Sequence, residues 1–139
     1  MKKNSANIDW LTIVLSDSPS GGAEQTQKNL ITHLTETGKK CAVLILVKKK
    51  YAGWEDLESK CKVVYFPFES HFLGFLYLIP YLFFFFVKNR INYTFSSQTF
   101  VNFILGFYKK IGFLRKTKVV TRESTSIFKF FTGIKLKVY

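Results

Sequence analysis

The sequence predicts an α/β fold, a parallel sheet with helices on both of its faces. Three observations predict it. Short apolar runs of strand length recur along the chain, helix-period segments separate them, and polar turns rich in Gly and Ser follow the strands. With 139 residues, 47% hydrophobic and 22% charged, the chain is long enough to bury one core and apolar enough to be globular. Residues 1–139 are therefore read as one domain.

The first strand is the near-continuous apolar run Trp10 to Ser16, as a parallel strand covered on both faces should be. Asp17-Ser18-Pro19-Ser20-Gly21-Gly22-Ala23-Glu24 follows as a turn and helix start. Paired glycines leave room for a ligand at the first helical N–H groups, where the macrodipole favours an anion. A phosphate or sugar-hydroxyl cradle is one reading of this loop, and a plain glycine-rich turn is the other. There is no Gly-x-Gly-x-x-Gly spacing and no Walker-type Lys-Ser/Thr, which removes support from dinucleotide and P-loop sites.

The helix from Thr26 to Thr37 sets Ala23, Leu30, Ile31 and Leu34 on one face, with Gln25, Lys28, Asn29 and Glu36 elsewhere. Glu24 complements the dipole in the first turn and has Lys28 at i+4 as an expected ion-pair partner. Gly38 terminates the helix. Cys41 to Val47 is a second buried strand, completing a right-handed βαβ unit. Gly53 to Glu58 is a polar connection that reads either as a short helical turn or, the preferred expectation, as a solvated loop, and Lys62 to Phe66 is a third strand closed by Pro67.

Ser70 to Val87 is uncharged for 18 residues, and Lys88 and Arg90 follow it. Its length permits a membrane span. A span would split the parallel sheet across a bilayer, so a helix buried on the sheet or lying in the lipid interface is the preferred expectation. Asn92 to Ser97 is a fourth strand, whose Ser96 and Ser97 either contact a polar substrate or cap the next helix. That helix, Gln98 to Ile111, has Val101, Ile104, Leu105 and Tyr108 at core spacing and Gly112 as its terminator. Thr117 to Thr121 is a fifth strand, delivering Arg122-Glu123-Ser124 to the same edge as Gly21, Gly22 and Ser97. Those residues read either as site groups or as a surface pair beside a Ser/Thr turn.

The formal net charge is +12, and residues 70–139 carry 11 of the basic side chains against the single acid Glu123. Such a field attracts an anionic partner. Aromatic and basic residues interleave, as in Phe107-Tyr108-Lys109-Lys110 and Phe128-Lys129-Phe130-Phe131, but the aromatics recur at helical core spacing, so nucleic acid is disfavoured as the partner. Cys41 and Cys61 lack a Cys-x-x-Cys pair or nearby histidines, which leaves a metal without a ligand set and reads as reduced thiols. Asp9 interrupts the only basic-then-apolar N-terminal stretch, so no secretory signal is expected.

Gly21-Gly22-Ala23-Glu24 after an apolar strand, Thr35-Glu36-Thr37-Gly38 before Cys41-Ala42-Val43-Leu44, and the loops bearing Ser96-Ser97 and Arg122-Glu123-Ser124 together resemble the N-terminal domain of GT-B glycosyltransferases of family 4. The resemblance implies a Rossmann-like acceptor domain facing a donor domain across a cleft. It implies sugar transfer, with retention, to a cell-surface polysaccharide or lipid-linked glycan at the cytoplasmic membrane face, peripheral on the inner side of the plasma membrane. A nucleotide sugar would be the co-substrate, with no metal and no tightly bound cofactor. Carried over by position, Gly21, Gly22, Glu24, Ser97 and Ser124 are expected to bind substrate. Arg122 and Glu123 stand where many members have a histidine, and are the catalytic candidates.

The family's donor domain, with its paired glutamates, has no counterpart in these 139 residues. The reading is therefore an incomplete GT-B N-terminal domain, inactive in isolation, either a truncated reading frame or one subunit of a split enzyme; its expected partners are a sugar acceptor, an anionic membrane surface and, in the split case, a separate donor-binding chain. The rival class is a non-enzymatic basic module that binds anionic membrane.

Overall fold

The computed structural model describes residues 6–18 and 20–122. In chain order the elements are β1 (Asn7–Val14), α1 (Gly22–Glu36), β2 (Cys41–Ile45), α2 (Glu55–Glu58), β3 (Lys62–Tyr65), α3 (His71–Lys88), β4 (Arg90–Ser96), α4 (Thr99–Lys110) and β5 (Lys118–Thr121). The strands form one sheet in the order β3-β2-β1-β4-β5, and every neighbouring pair is parallel. From β1 the chain steps outward through β2 to β3, then returns through α3 to place β4 on the other side of β1. The architecture is a Rossmann-like α/β sheet, and its order reverses between β1 and β4.

Strand alternation divides the core into two layers. In β2, Cys41, Val43 and Ile45 join Ile31, Trp54 and Leu57 on one face. Ala42 and Leu44, with Leu46 just beyond, join Leu78, Leu82, Leu105 and Tyr108 on the other. Thus α1 and α2 cover one side, while α3 and α4 cover the opposite side. Two-sided burial accounts for the unbroken apolar run in β2.

The helix ends follow from local chemistry. Gly38 (φ 79°) and Gly112 (φ 80°) take the left-handed conformation that glycine adopts without steric cost. Lys39 N–H donates to the Leu34 carbonyl and Gly38 N–H to that of Thr35; Phe113 and Gly112 do the same to Tyr108 and Lys109. Both α1 and α4 therefore end in the 6→1 and 5→2 pattern of a Schellman motif.

Three expectations need correction. The connection 53–58 is not a solvated loop, because Trp54 and Leu57 are fully buried and anchor α2 beneath the sheet. Two apolar residues spaced at i and i+3 are enough to dock one helical turn. Lys28 does not pair with Glu24; its Nζ lies 3.0 Å from Asp56 Oδ1 and donates to the Gly53 carbonyl at 2.6 Å. Those interactions fasten α1 to α2. On α1 itself the buried residues are Gln27 and Ile31. Gln27 Nε2 donates to Thr12 Oγ1 at 3.0 Å and to the Ile13 carbonyl at 2.8 Å, so a polar tie replaces part of the expected apolar seam.

The phenylalanine-rich segment is a helix, α3, packed on the sheet through Gly74, Leu78, Leu82 and Phe85. It is long and apolar enough to cross a bilayer, yet it is a covering helix of an α/β domain. Gly74 permits this approach, since a Cβ there would collide with the carbonyl oxygen of Leu46.

Candidate functional site

Because all five strands are parallel, the loops after β1, β2 and β4 and the end of β5 at Arg122 lie at a single edge of the sheet. The crevice between the C-terminal ends of β1 and β4 is the switch point, where open α/β sheets separate neighbouring loops and admit ligands. Four of the sequence-selected residues, Gly21, Gly22, Glu24 and Ser97, lie on the loops bounding this crevice. Arg122 reaches it from the end of β5.

Hydrogen bonds join these loops directly. Gln98 Nε2 donates to Glu24 Oε1 at 3.2 Å, linking the β4–α4 turn to the first turn of α1. Arg122 Nη1 donates to Thr26 Oγ1 at 3.0 Å, and Arg122 N–H donates to the Ser96 carbonyl at 2.9 Å. Thr26 Oγ1 in turn donates to the Gly22 carbonyl at 2.7 Å. Glu123 and Ser124 lie outside the described residues.

The glycines work differently from the expectation. Gly21 is the N-cap of α1 with φ −78° and ψ 144°, a conformation open to most residues. Only Gly38 and Gly112 among the described glycines have positive φ. What Gly21 supplies is space, because the Glu24 carboxylate folds back over it and would collide with a Cβ. A Cβ on Gly22 would meet open space.

The Glu24 carboxylate therefore places a negative charge at the positive end of α1, where a bound anion would otherwise lie. That favours the sugar-hydroxyl reading over the phosphate reading, since a carboxylate accepts from hydroxyls and repels phosphate. The crevice presents the Glu24 carboxylate, the Gln98 amide, the Thr26 hydroxyl and the Arg122 guanidinium. Such a set offers hydrogen-bond donors and an acceptor of the kind a polyol's hydroxyls pair with, and Arg122 is the one cation among the described residues of this group.

Neither Ser96 nor Ser97 is the N-cap of α4; that position belongs to Gln98, which makes no side-chain cap bond. Ser96 Oγ instead accepts from Gln98 N–H at 3.3 Å and shapes the turn, and both serines are fully buried.

Sequence reasoning missed three contributors. Gln98 was visible only as the first residue of a helix. Asp17, 2% exposed, accepts from Tyr51 N–H at 2.6 Å and from Lys50 N–H, tying the β1 loop to the β2 loop. Its signal was an acid placed directly after a buried strand. Tyr51, 61% exposed, stands just past β2 on the same edge.

Several concavities lie away from this edge, among them a cleft of about 440 Å³ lined by Lys62, Tyr81, Phe84, Phe85 and Lys88, and two others. One, about 460 Å³, is lined by Phe86, Val87, Arg90, Phe113, Arg115 and Lys116 at the opposite end of the sheet. The other, about 470 Å³, is an apolar groove between α3 and α4. Comparison of the chain with protein-family models, with curated proteins and with solved structures returns no match.

Proposed function

We propose that the chain is the acceptor-side part of a nucleotide-sugar-dependent glycosyltransferase, and that the β1/β4 crevice holds the saccharide acceptor. The observation that carries this reading is the convergence of Glu24, Gln98, Thr26 and Arg122 through hydrogen bonds at the switch point. The resemblance of the Gly21-Gly22-Ala23-Glu24 loop to family 4 GT-B enzymes supplies the reaction class. In this reading Glu24 and Gln98 orient acceptor hydroxyls, Ser97 supports the β4 loop from its buried position behind them, and Arg122, with Glu123 and Ser124 as the further candidates, acts nearest the transferred sugar.

Retaining transfer needs preorganised groups that stabilise the departing diphosphate. The family places those groups on the donor side, so the acceptor part by itself should bind sugar and not turn over donor. The nucleotide sugar is then a co-substrate held by the donor-binding part, and the work is done at the inner face of the plasma membrane.

The rival, a non-enzymatic basic module on an anionic membrane, leaves the polar crevice without a role.

The test is an amide and side-chain NMR titration of the 139-residue chain with a panel of methyl glycosides, with UDP and inorganic phosphate as comparators. Saccharide-dependent shifts at Gly21, Gly22, Ser97, Gln98 and Arg122 are expected. Shifts there from phosphate and from no saccharide would overturn the site. A radiolabelled nucleotide-sugar assay of the same sample should show neither release nor transfer, and efficient transfer by this chain alone would overturn the division of labour.

A further inference from the structure

We infer that α3 and α4 together form a monotopic docking surface for an anionic lipid bilayer. The sheet needs only one side of these helices. Their outer sides expose Phe72, Leu76, Ile79, Phe100, Phe103 and Phe107, with Phe72, Phe100 and Phe103 at 73%, 72% and 74% exposure. Rings of this size left so open are not stray surface apolars. They line and border the groove between the two helices, whose walls are almost wholly carbon. A continuous apolar face on two neighbouring helices marks an interaction surface.

The charges around that face select its occupant. From Ser70 to Arg122 there is no carboxylate, and neither α3 nor α4 carries a charge before its last turn. Cations then gather at one end: Arg90, Arg115 and Lys116 line the basic cleft of about 460 Å³ beside Phe86 and Phe113, and Lys88 and Lys110 stand in the last turns of α3 and α4. An apolar plane ending in a cationic rim matches acyl chains bordered by anionic headgroups. A second copy of the chain matches poorly. Self-pairing would bring two such cationic rims, each on a chain of net charge +12, into one assembly without an acid on either face.

The mode is interfacial, not spanning. Gly74, Leu78, Leu82 and Phe85 hold α3 to the sheet, and Tyr108 Oη on α4 donates to the Ile79 carbonyl at 2.7 Å, fixing the two helices side by side. Pro80 lies on the exposed side and supplies no N–H for the Leu76 carbonyl, which a lipid interface with water and headgroups tolerates better than a bilayer centre.

The surface is separate from the β1/β4 crevice, so this inference and the saccharide reading can fail independently. The test is flotation of the full chain with vesicles of phosphatidylcholine alone and with 30% phosphatidylglycerol (about that fraction gives a strong negative surface potential). The chain should float with the anionic vesicles, less so as salt rises. The double substitution Phe100→Ser/Phe103→Ser removes two exposed rings without touching the core and should lower partitioning by about 100-fold. Lys110→Glu/Lys116→Glu should lower it by about tenfold or more on anionic vesicles and leave neutral vesicles unaffected.

Unchanged flotation of the phenylalanine variant would overturn the inference. So would an absence of flotation together with a concentration-dependent dimer that this variant dissolves, which would assign the face to a second copy. Resistance of the native chain to alkaline carbonate extraction would overturn the interfacial mode.

Discussion

Gln98 has no partner in the sequence pattern, yet its amide is the bridge between the loop after β4 and the carboxylate on α1. Removing it leaves Glu24 without that donor and lets the two loops separate. Gln98→Ala should therefore weaken saccharide binding by about tenfold, the scale of one hydrogen bond to a charged group, with the urea midpoint nearly unchanged. The NMR titration of the variant measures the affinity, and a urea denaturation curve measures the midpoint. The cysteines make a different residue-scale prediction. Burial, with the Cys61 thiol near Cys41, pushes the Cys41 thiol from 9.0 up to about 11, and burial raises Cys61 equally. At pH 8 the native thiolate fraction is then about 100-fold below that of a free thiol. Iodoacetamide should alkylate the unfolded chain readily and the native chain slowly. The folded state holds these protons more tightly than the unfolded state, so the associated stability is complete below pH 9.0 and is lost as pH rises towards about 11. Urea midpoints measured over that interval should fall, and Cys41→Ala/Cys61→Ala should flatten the decline.

At the scale of elements, α3 shows how a strongly apolar segment is committed to one place. Its composition permits a span, a core helix or an interfacial helix, and composition alone does not separate them. Gly74 does, because it lets the helix backbone approach the Leu46 carbonyl on the strand side. Gly74→Ala should be destabilising by about 3 kcal/mol, although alanine is ordinarily the better helix former by about 1 kcal/mol. A sign opposite to helix propensity, read from urea denaturation, is the signature of that close approach. The strands, the terminators Gly38 and Gly112 and the three long helices were legible because periodicity and glycine placement are local. The α2 turn was legible only as the lesser alternative to a solvated loop, and its burial was not legible, since its polar residues outnumber Trp54 and Leu57, and burial of those two depends on the distant Ile31 and Ile45. The site was legible to the level of which loops meet, because a parallel sheet sends them to one edge. The bonds between Glu24 and Gln98, and between Thr26 and Arg122, were not, since they join residues 74 and 96 positions apart.

Across the whole molecule, a single sheet carries two apolar layers that never touch. Leu57 lies in the layer under α1 and α2, and Leu82 in the layer under α3 and α4, each with no exposed surface. Truncating either to alanine removes buried methyl groups and leaves a cavity, costing about 3 kcal/mol. The two sites share no side-chain partner and are separated by the strand backbones, so their effects should add to within about 0.5 kcal/mol. Addition has a further requirement, that neither layer peels away before the sheet itself comes apart. The β1 and β2 strands supply alternate residues to both layers, which couples loss of one layer to exposure of the other. Unfolding should therefore remain a single transition, with coincident far-UV circular dichroism and tryptophan fluorescence curves. Trp54, buried in the α2 layer, gives fluorescence a local view of that side. If Leu57→Ala moves the fluorescence transition ahead of the circular dichroism transition, α2 and its layer are a separate unit, and the sheet does not enforce cooperativity across its two faces.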